Sequence, residues 1–185
     1  AGSFDLSFLR CVPNLVIMAP SDAQQLYQMF NTAFTINGPV CVRYPRGTSN
    51  TQDYVTTKTI PVGKAEVALK GNNVAIFAFG TLLENALIAG KELGATVVDM
   101  RFVKPLDEAL ILELANSHDL LISVEDNAIN GGAGSAIGEL LHQKNINTSL
   151  KTLGLPDAFT EQGSQTQLYE LYGLDSQAII DAAKS

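Results

Sequence analysis

The sequence predicts an α/β protein: a mainly parallel open sheet with helices on both faces, preceded by a separate βαβ remnant. Three observations predict it. Over residues 60–185, short continuous apolar runs alternate with amphipathic stretches of helical period, the pattern of strands covered on both faces. The first 47 residues hold a strand, a helix and a strand of their own, too few strands for a sheet with an independent core. Residues 48–59 are rich in Thr, Ser, Asn, Gln and Asp with few apolar anchors, a linker composition. The expected division is therefore 1–47, the end of one domain; 48–59, a linker; and 60–185, a second domain.

The first piece opens on Ala1-Gly2-Ser3-Phe4-Asp5, with neither an initiator Met nor a leader, as an excised piece would. Residues 4–10 carry apolar side chains at 4, 6, 8 and 9, too short a run to assign by period. Leu15 to Ala19 is a continuous apolar run and predicts a buried parallel strand. Ser21 with Gln24 fits a capping box, starting a helix over about 22–36 with Leu26, Phe30, Ala33 and Phe34 on one face. Gly38-Pro39 ends it, and a strand over 40–44 completes a right-handed βαβ unit that needs further protein to lean on.

In the second piece, residues 62–69 alternate as an edge strand. Gly71-Asn72-Asn73 predicts a hairpin into the uniformly apolar run Val74 to Phe79. Thr81 and Glu84 fit a second capping box for a helix to Leu93-Gly94, and Ala95 to Val98 is a strand ending at Asp99. Asp107 caps a helix to about Ser117, and Leu120 to Val124 is a strand ending at Glu125-Asp126-Asn127. Gly131-Gly132-Ala133-Gly134 opens a helix to about Lys144, and residues 149–153 form the last strand. Ser164 and Asp175 cap two closing helices.

Composition narrows the function classes. An apolar content of 46% and a charged content of 17% are ordinary for a globular protein. A net charge of −7 disfavours nucleic acid, whose phosphates need clustered Lys and Arg. No apolar stretch approaches the roughly 20 residues of a membrane span, and no signal-peptide pattern opens the chain, so a cytoplasmic protein is expected. Cys11 and Cys41 adjoin apolar runs and have no metal spacing; two buried free thiols are expected. Charge is uneven: Arg10, Arg43 and Arg46 face only Asp5 and Asp22 in residues 1–47, while the remaining nine basic and seventeen acidic residues follow.

The chemically informative stretch is Val40-Cys41-Val42-Arg43-Tyr44-Pro45-Arg46-Gly47. A buried strand stops at Pro-Arg-Gly, which holds Arg46 at a strand's carboxyl end, where α/β proteins bind ligands. Arg46 is thus a candidate for an anionic substrate group, against a salt bridge at a domain boundary. The Gly131–Gly134 run admits two readings, a phosphate-binding turn or close helix–strand packing, and it matches neither common nucleotide fingerprint. Adjacent Glu125 and Asp126 point to opposite faces of a strand, so an N-terminal or interface role fits better than a general acid/base pair. Arg101 and Lys104 could bind an anion or pair with Asp99 or Asp107. His118 and His142 lack a partner at triad or metal spacing. The residues alone thus supply one candidate anion contact, Arg46, and no catalytic, cofactor-binding or metal-binding residue.

Long motifs then carry a resemblance. Gly2-Ser3-Phe4-Asp5-Leu6-Ser7-Phe8-Leu9-Arg10-Cys11-Val12-Pro13 and Val16-Ile17-Met18-Ala19-Pro20-Ser21-Asp22 come first. Val42-Arg43-Tyr44-Pro45-Arg46-Gly47, the run from Val98 to Asp107, Gly131 to Ser135 and Leu153-Gly154-Leu155-Pro156-Asp157 follow in order. Together they resemble the 1-deoxy-D-xylulose-5-phosphate synthase family of thiamine-diphosphate-dependent, transketolase-like enzymes, over essentially the whole chain. The resemblance implies a homodimeric transferase in which thiamine diphosphate and Mg²⁺ serve the condensation of pyruvate with D-glyceraldehyde 3-phosphate. It implies that residues 1–47 close a pyrimidine-binding domain and that about 60–185 form the C-terminal domain. The reaction-centre histidine, the metal motif and the activating glutamate would lie upstream, in an N-terminal part of the same polypeptide. By that resemblance Arg46 matches the arginine that grips the phosphate of glyceraldehyde 3-phosphate, and this stretch alone is expected to be inactive and to bind no cofactor. The other class of function is a non-catalytic dimerisation or regulatory module of another thiamine-diphosphate enzyme.

Overall fold

The computed structural model describes residues 3–45, 47 and 56–185. In chain order the elements are α1 (Asp5–Leu9), β1 (Val16–Met18), α2 (Ala23–Ala33), β2 (Val40–Val42), β3 (Glu66–Leu69), β4 (Val74–Ala78) and α3 (Leu83–Leu93). They continue as β5 (Thr96–Asp99), β6 (Phe102–Lys104), α4 (Glu108–Ser117), β7 (Leu120–Ala128), α5 (Ala133–Gln143), β8 (Ser149–Leu155), α6 (Gln165–Leu171) and α7 (Ser176–Lys184).

Among the described residues the larger sheet has the order β3-β5-β4-β7-β8, parallel throughout except for β3. The expected hairpin is absent: β3 pairs with β5, Val67 opposite Val98, rather than with β4. The reason is burial. Residues Ala75–Ala78 are fully buried, and β4 takes parallel partners on both sides, Ile76 opposite Val97 on β5 and Ile122 on β7. The turn instead steers the chain past the end of α3, where the Asn72 amide donates to the Gly94 carbonyl at 2.9 Å.

The βαβ unit does not stand apart. β6 adds antiparallel to β1, giving a second sheet of order β2-β1-β6, with Phe102 opposite Met18. This strand, unseen in the sequence because three residues carry no period, comes from the second piece of chain. Leu6, Leu15, Ile17 and Ala19 pack in one apolar cluster with Phe77, Val98, Met100 and Ile137. Part of the support sought outside the chain thus lies within it. Ile60 seals the same joint: its amide donates to Thr32 Oγ1 at 2.8 Å, and its side chain packs with Met18, Met29 and Phe102. On the opposite face of the large sheet α3 and α7 cover Ile76, Val97 and Ile122.

Three local expectations change. On α2 the cap is Asp22, accepting from the Gln25 amide at 2.7 Å, one residue later than the Ser21 box. The face buried on α2 is Gln25, Met29 and Thr32, while Phe30 is 39% and Phe34 90% exposed. Met29 wins because it meets Met18 and Phe102 across the small sheet, which is too narrow to cover both apolar stripes of the helix. Thr81 lies in a single 3₁₀ turn before α3 and bonds to Tyr169 instead of capping. Ser164 and Asp175 cap α6 and α7 as expected, Ser164 in a full capping box with Gln167.

Two helix glycines test this packing in opposite senses. A Cβ at Gly90 in α3 would sit 2.3 Å from Val97 Cγ2, whereas one at Gly138 in α5 meets only Leu150 at 3.6 Å. Gly90→Ala should lower unfolding stability by about 1–3 kcal/mol despite better helix propensity. Gly138→Ala should raise it by about 0.4–1 kcal/mol. Denaturant midpoints of the two variants, compared with the parent, check both signs.

Candidate functional site

The end of β7 faces the exit of β2. Because an extended chain alternates its side chains, three consecutive polar residues there reach three different partners. Glu125 is buried, and its carboxylate accepts from the Ala133 amide at 2.7 Å and the Gly134 amide at 2.8 Å. The glycines permit this approach, since a Cβ on Gly132 would lie 2.4 Å from Glu125 Oε2 and one on Gly134 2.3 Å from Ser123 Oγ. Close packing therefore explains the Gly131–Gly134 run, and the carboxyl group at this helix N-terminus is the chain's own. The cradle does not fit a diphosphate.

Asp126 turns the other way, onto Arg43, the first residue after β2. Arg43 pairs with Asp126 through Nη1, donates from Nη2 to the Asp126 carbonyl at 3.1 Å, and meets Asp5 Oδ2 through Nε at 3.3 Å. Burial alone would push the Arg43 guanidinium down, but the carboxylates of Asp126 and Asp5 together outweigh it and hold the cation above its ordinary value. Asp126 also accepts a long 3.4 Å bond from Tyr169, whose hydroxyl is pushed up to about 12, first by burial and then by the Asp126 charge. Thr81 and Gln165 complete that hydroxyl cluster, at 3.1 and 2.6 Å from Tyr169 Oη.

Asn127 is wholly buried and holds α1. Its carbonyl oxygen accepts from the Leu6 amide at 3.1 Å, and its Nδ2 donates to Ser7 Oγ at 2.9 Å. The neighbouring Ala128 amide donates to the Ser3 carbonyl at 2.7 Å. Arg10 adds bonds to the Gly131 and Gly132 carbonyls at 2.6 and 2.8 Å and an ion pair with Glu139.

A second junction lies at the end of β5. Asp99 accepts from Gln25 Nε2 at 2.7 Å and Ser21 Oγ at 3.1 Å, so α2 is tied to the large sheet. Burial pushes the Asp99 carboxyl up to about 6 against those bonds. Between the β2 exit and α6 runs a cleft of about 380 Å³, lined by Ser21, Leu26, Tyr44, Thr81, Glu84 and Gln165 among others. No Lys or Arg lines it among the described residues.

The candidate substrate contact, Arg46, lies outside the described residues, as do residues 48–55 of the expected linker. Glu125 and Asp126 diverge, as the alternation predicted. Of the remaining cations, Arg101 pairs with Asp99 as expected, with Nε 4.0 Å from Oδ2, and also with Glu66, while Lys104 donates instead to the carbonyls of Arg10 and Val12 at 2.9 and 2.7 Å. His118 sits at the α4 end with Nδ1 3.1 Å from the Leu114 carbonyl and Nε2 2.8 Å from Thr96 Oγ1; His142 is exposed. Both cysteines are free, but Cys11 is exposed and Cys41 half-buried, a correction to the expected pair of buried thiols. Cys11 follows the short α1, whose inward face is taken by Leu6. Among the described residues no group of three His, Cys, Asp or Glu could hold a metal ion, and no helix is long and apolar enough to cross a membrane. Sequence reasoning missed Arg43, Asn127 and Tyr169; only the run of three polar residues ending an apolar strand hinted at such a junction.

The sequence matches the transketolase C-terminal domain over residues 63–179 and the transketolase pyrimidine binding domain over residues 1–51. The chain belongs to the transketolase family of thiamine-diphosphate enzymes. Within it, the chain is 50% identical over 185 residues to the 1-deoxy-D-xylulose-5-phosphate synthase of Pseudoalteromonas translucida, covering all of this chain and 30% of that protein. It is 53% identical over 186 residues to the same synthase of Methylococcus capsulatus, covering 98% of this chain and 29% of that one. The chain therefore spans about 30% of the length of the curated relatives it matches. In structure it superposes on a split-gene transketolase, solved as an inactive β4 tetramer, with a TM-score of 0.89 and 31% identity. That match covers 99% of this chain and 61% of that one.

Glu125 gives a pH test. Burial pushes its carboxyl from 4.5 up to about 7, against the two amide bonds that favour the charge. The folded state then holds a proton that the unfolded chain releases, so this contribution is full below about pH 4.5 and is lost as pH rises through about 7. The stability of the parent relative to Glu125→Gln should fall between these pH values and level off above. Urea unfolding of both proteins across pH 4.5–8 checks it; a difference that grows with pH would contradict it.

Proposed function

We propose that this chain is the C-terminal part of a synthase that condenses pyruvate with D-glyceraldehyde 3-phosphate, releasing CO₂ and forming 1-deoxy-D-xylulose 5-phosphate. In this reading residues 1–47 close the pyrimidine-binding domain, 48–59 link, and 60–185 form the C-terminal domain of a cytoplasmic homodimer. The single observation that supports it is identity of about one half, over 98–100% of the chain, to proteins bearing that name. In this reading thiamine diphosphate and Mg²⁺ are held by parts of the enzyme upstream, as the family resemblance implies, and the glycine-rich N-terminus of α5 is filled by Glu125. Arg46 supplies the phosphate contact for glyceraldehyde 3-phosphate: a forked guanidinium suits a phosphate better than an ammonium does.

The isolated chain should neither bind thiamine diphosphate nor turn over; calorimetric binding at 1:1 in the micromolar range would contradict this. In the full-length enzyme, Arg46→Ala should weaken glyceraldehyde 3-phosphate far more than pyruvate, because only the former carries a phosphate. Losing charge-assisted bonds costs about 1.5–3 kcal/mol each, roughly ten- to over a hundredfold in kcat/KM for that substrate. Arg46→Lys should recover part of the loss. Steady-state kinetics with each substrate varied is the test; equal losses for both substrates with a lowered Tm would assign Arg46 to structure.

A further inference from the structure

We propose that Asp126 is a positioning residue for the acceptor substrate, acting from the C-terminal domain through Arg43 on the chain that leaves β2 toward Arg46. The inference rests on the proposed role of Arg46 and adds how the strand exit leading to it is held.

Arg43 and Arg46 lie three residues apart, on either side of Tyr44-Pro45. Arg43 is not among the described residues that line the cleft between the β2 exit and α6. Its guanidinium is clamped between the α1 residue Asp5 and the β7 residue Asp126, with both pair members largely shielded from water. The backbone is fixed too, since the Arg43 amide donates to the Met18 carbonyl of β1 at 2.8 Å. The next side chain, Tyr44, stacks edge-on against Phe30 of α2 at 6.2 Å between ring centres. Chain direction on the approach to Pro45 is therefore set by four elements, α1, β7, β1 and α2, and of the two carboxylates named Asp126 comes from the larger sheet. Planar guanidinium geometry makes the clamp directional: Asp126 takes Nη1 on its carboxylate and Nη2 on its own carbonyl. A point charge could not impose that orientation. The second Asp126 oxygen reaches toward Tyr169 of α6, so the clamp is itself braced from the far side.

A residue that merely stabilises the fold would depress both substrates alike. A residue that orients the β2 exit changes the acceptor selectively. In the full-length synthase, Asp126→Asn keeps the shape and the backbone carbonyl but removes the carboxylate charge. It should raise KM for glyceraldehyde 3-phosphate by roughly 2- to 30-fold, the range of coupling through such networks, with KM for pyruvate within about twofold. Arg43→Lys, which keeps the charge but loses the fork, should show the same selective loss and guards against a failure of the first variant to fold. Added to Arg46→Ala, Asp126→Asn should have little further effect on the acceptor, because the two act on one contact. If Arg46→Ala is acceptor-selective while Asp126→Asn and Arg43→Lys affect both substrates equally or neither, the positioning role is overturned and the Arg46 contact stands. If Arg46→Ala itself is not selective, the phosphate contact falls and the positioning role falls with it.

Discussion

Four residues at the end of β7, Glu125 to Ala128, hold three different pieces of the molecule. Glu125 seats the N-terminus of α5, Asp126 holds the β2 exit through Arg43, and Asn127 with the Ala128 amide fastens residues 3–7. The physical basis is strand alternation in a region screened from water. Neighbouring side chains leave the strand in opposite directions, and each polar group that is buried must find a partner. Removing one partner of such a bond leaves a buried donor or acceptor at a cost of about 1–3 kcal/mol. Residues far apart in sequence, such as Leu6 and Asn127, are thereby locked into one geometry.

The same logic extends to the smaller, three-stranded sheet. β6 extends it, the shared apolar cluster around Ile17, Phe77 and Met100 removes its inner face from water, and Asp99 ties α2 down through Gln25. One face of α2 stays uncovered, with Phe34 almost wholly exposed. The C-terminal domain is thus a platform on which residues 3–45 are assembled, and the strand exit before Pro45 is one of the points it fixes.

Much of this was legible in the sequence. Uniform apolar runs such as Val74 to Phe79 marked central strands, and Asp107, Ser164 and Asp175 marked helix starts, because these signals are local. The failures were non-local. Whether residues 66–69 pair with β4 or β5 depends on which strands need two neighbours, which no turn motif encodes. The choice between two apolar stripes on α2 depended on Met18 and Phe102, 11 and 73 residues from Met29. At the site, the strand-end logic pointed to Arg46 but passed over Arg43, whose value lies in Asp5 and Asp126, partners 38 and 83 residues away. The glycine run drew attention for phosphate, and only the coordinates show a carboxylate of the chain already in place.

The claim that the end of β7 organises the first segment is tested most directly by amide hydrogen exchange in Asn127→Ala. Exchange should quicken at Leu6 and through α1 to Arg10, whose anchors are lost, while the amides of Ala75–Ala78 in β4 keep their protection. Unchanged protection in α1, or an equal loss in α1 and β4, would contradict the account.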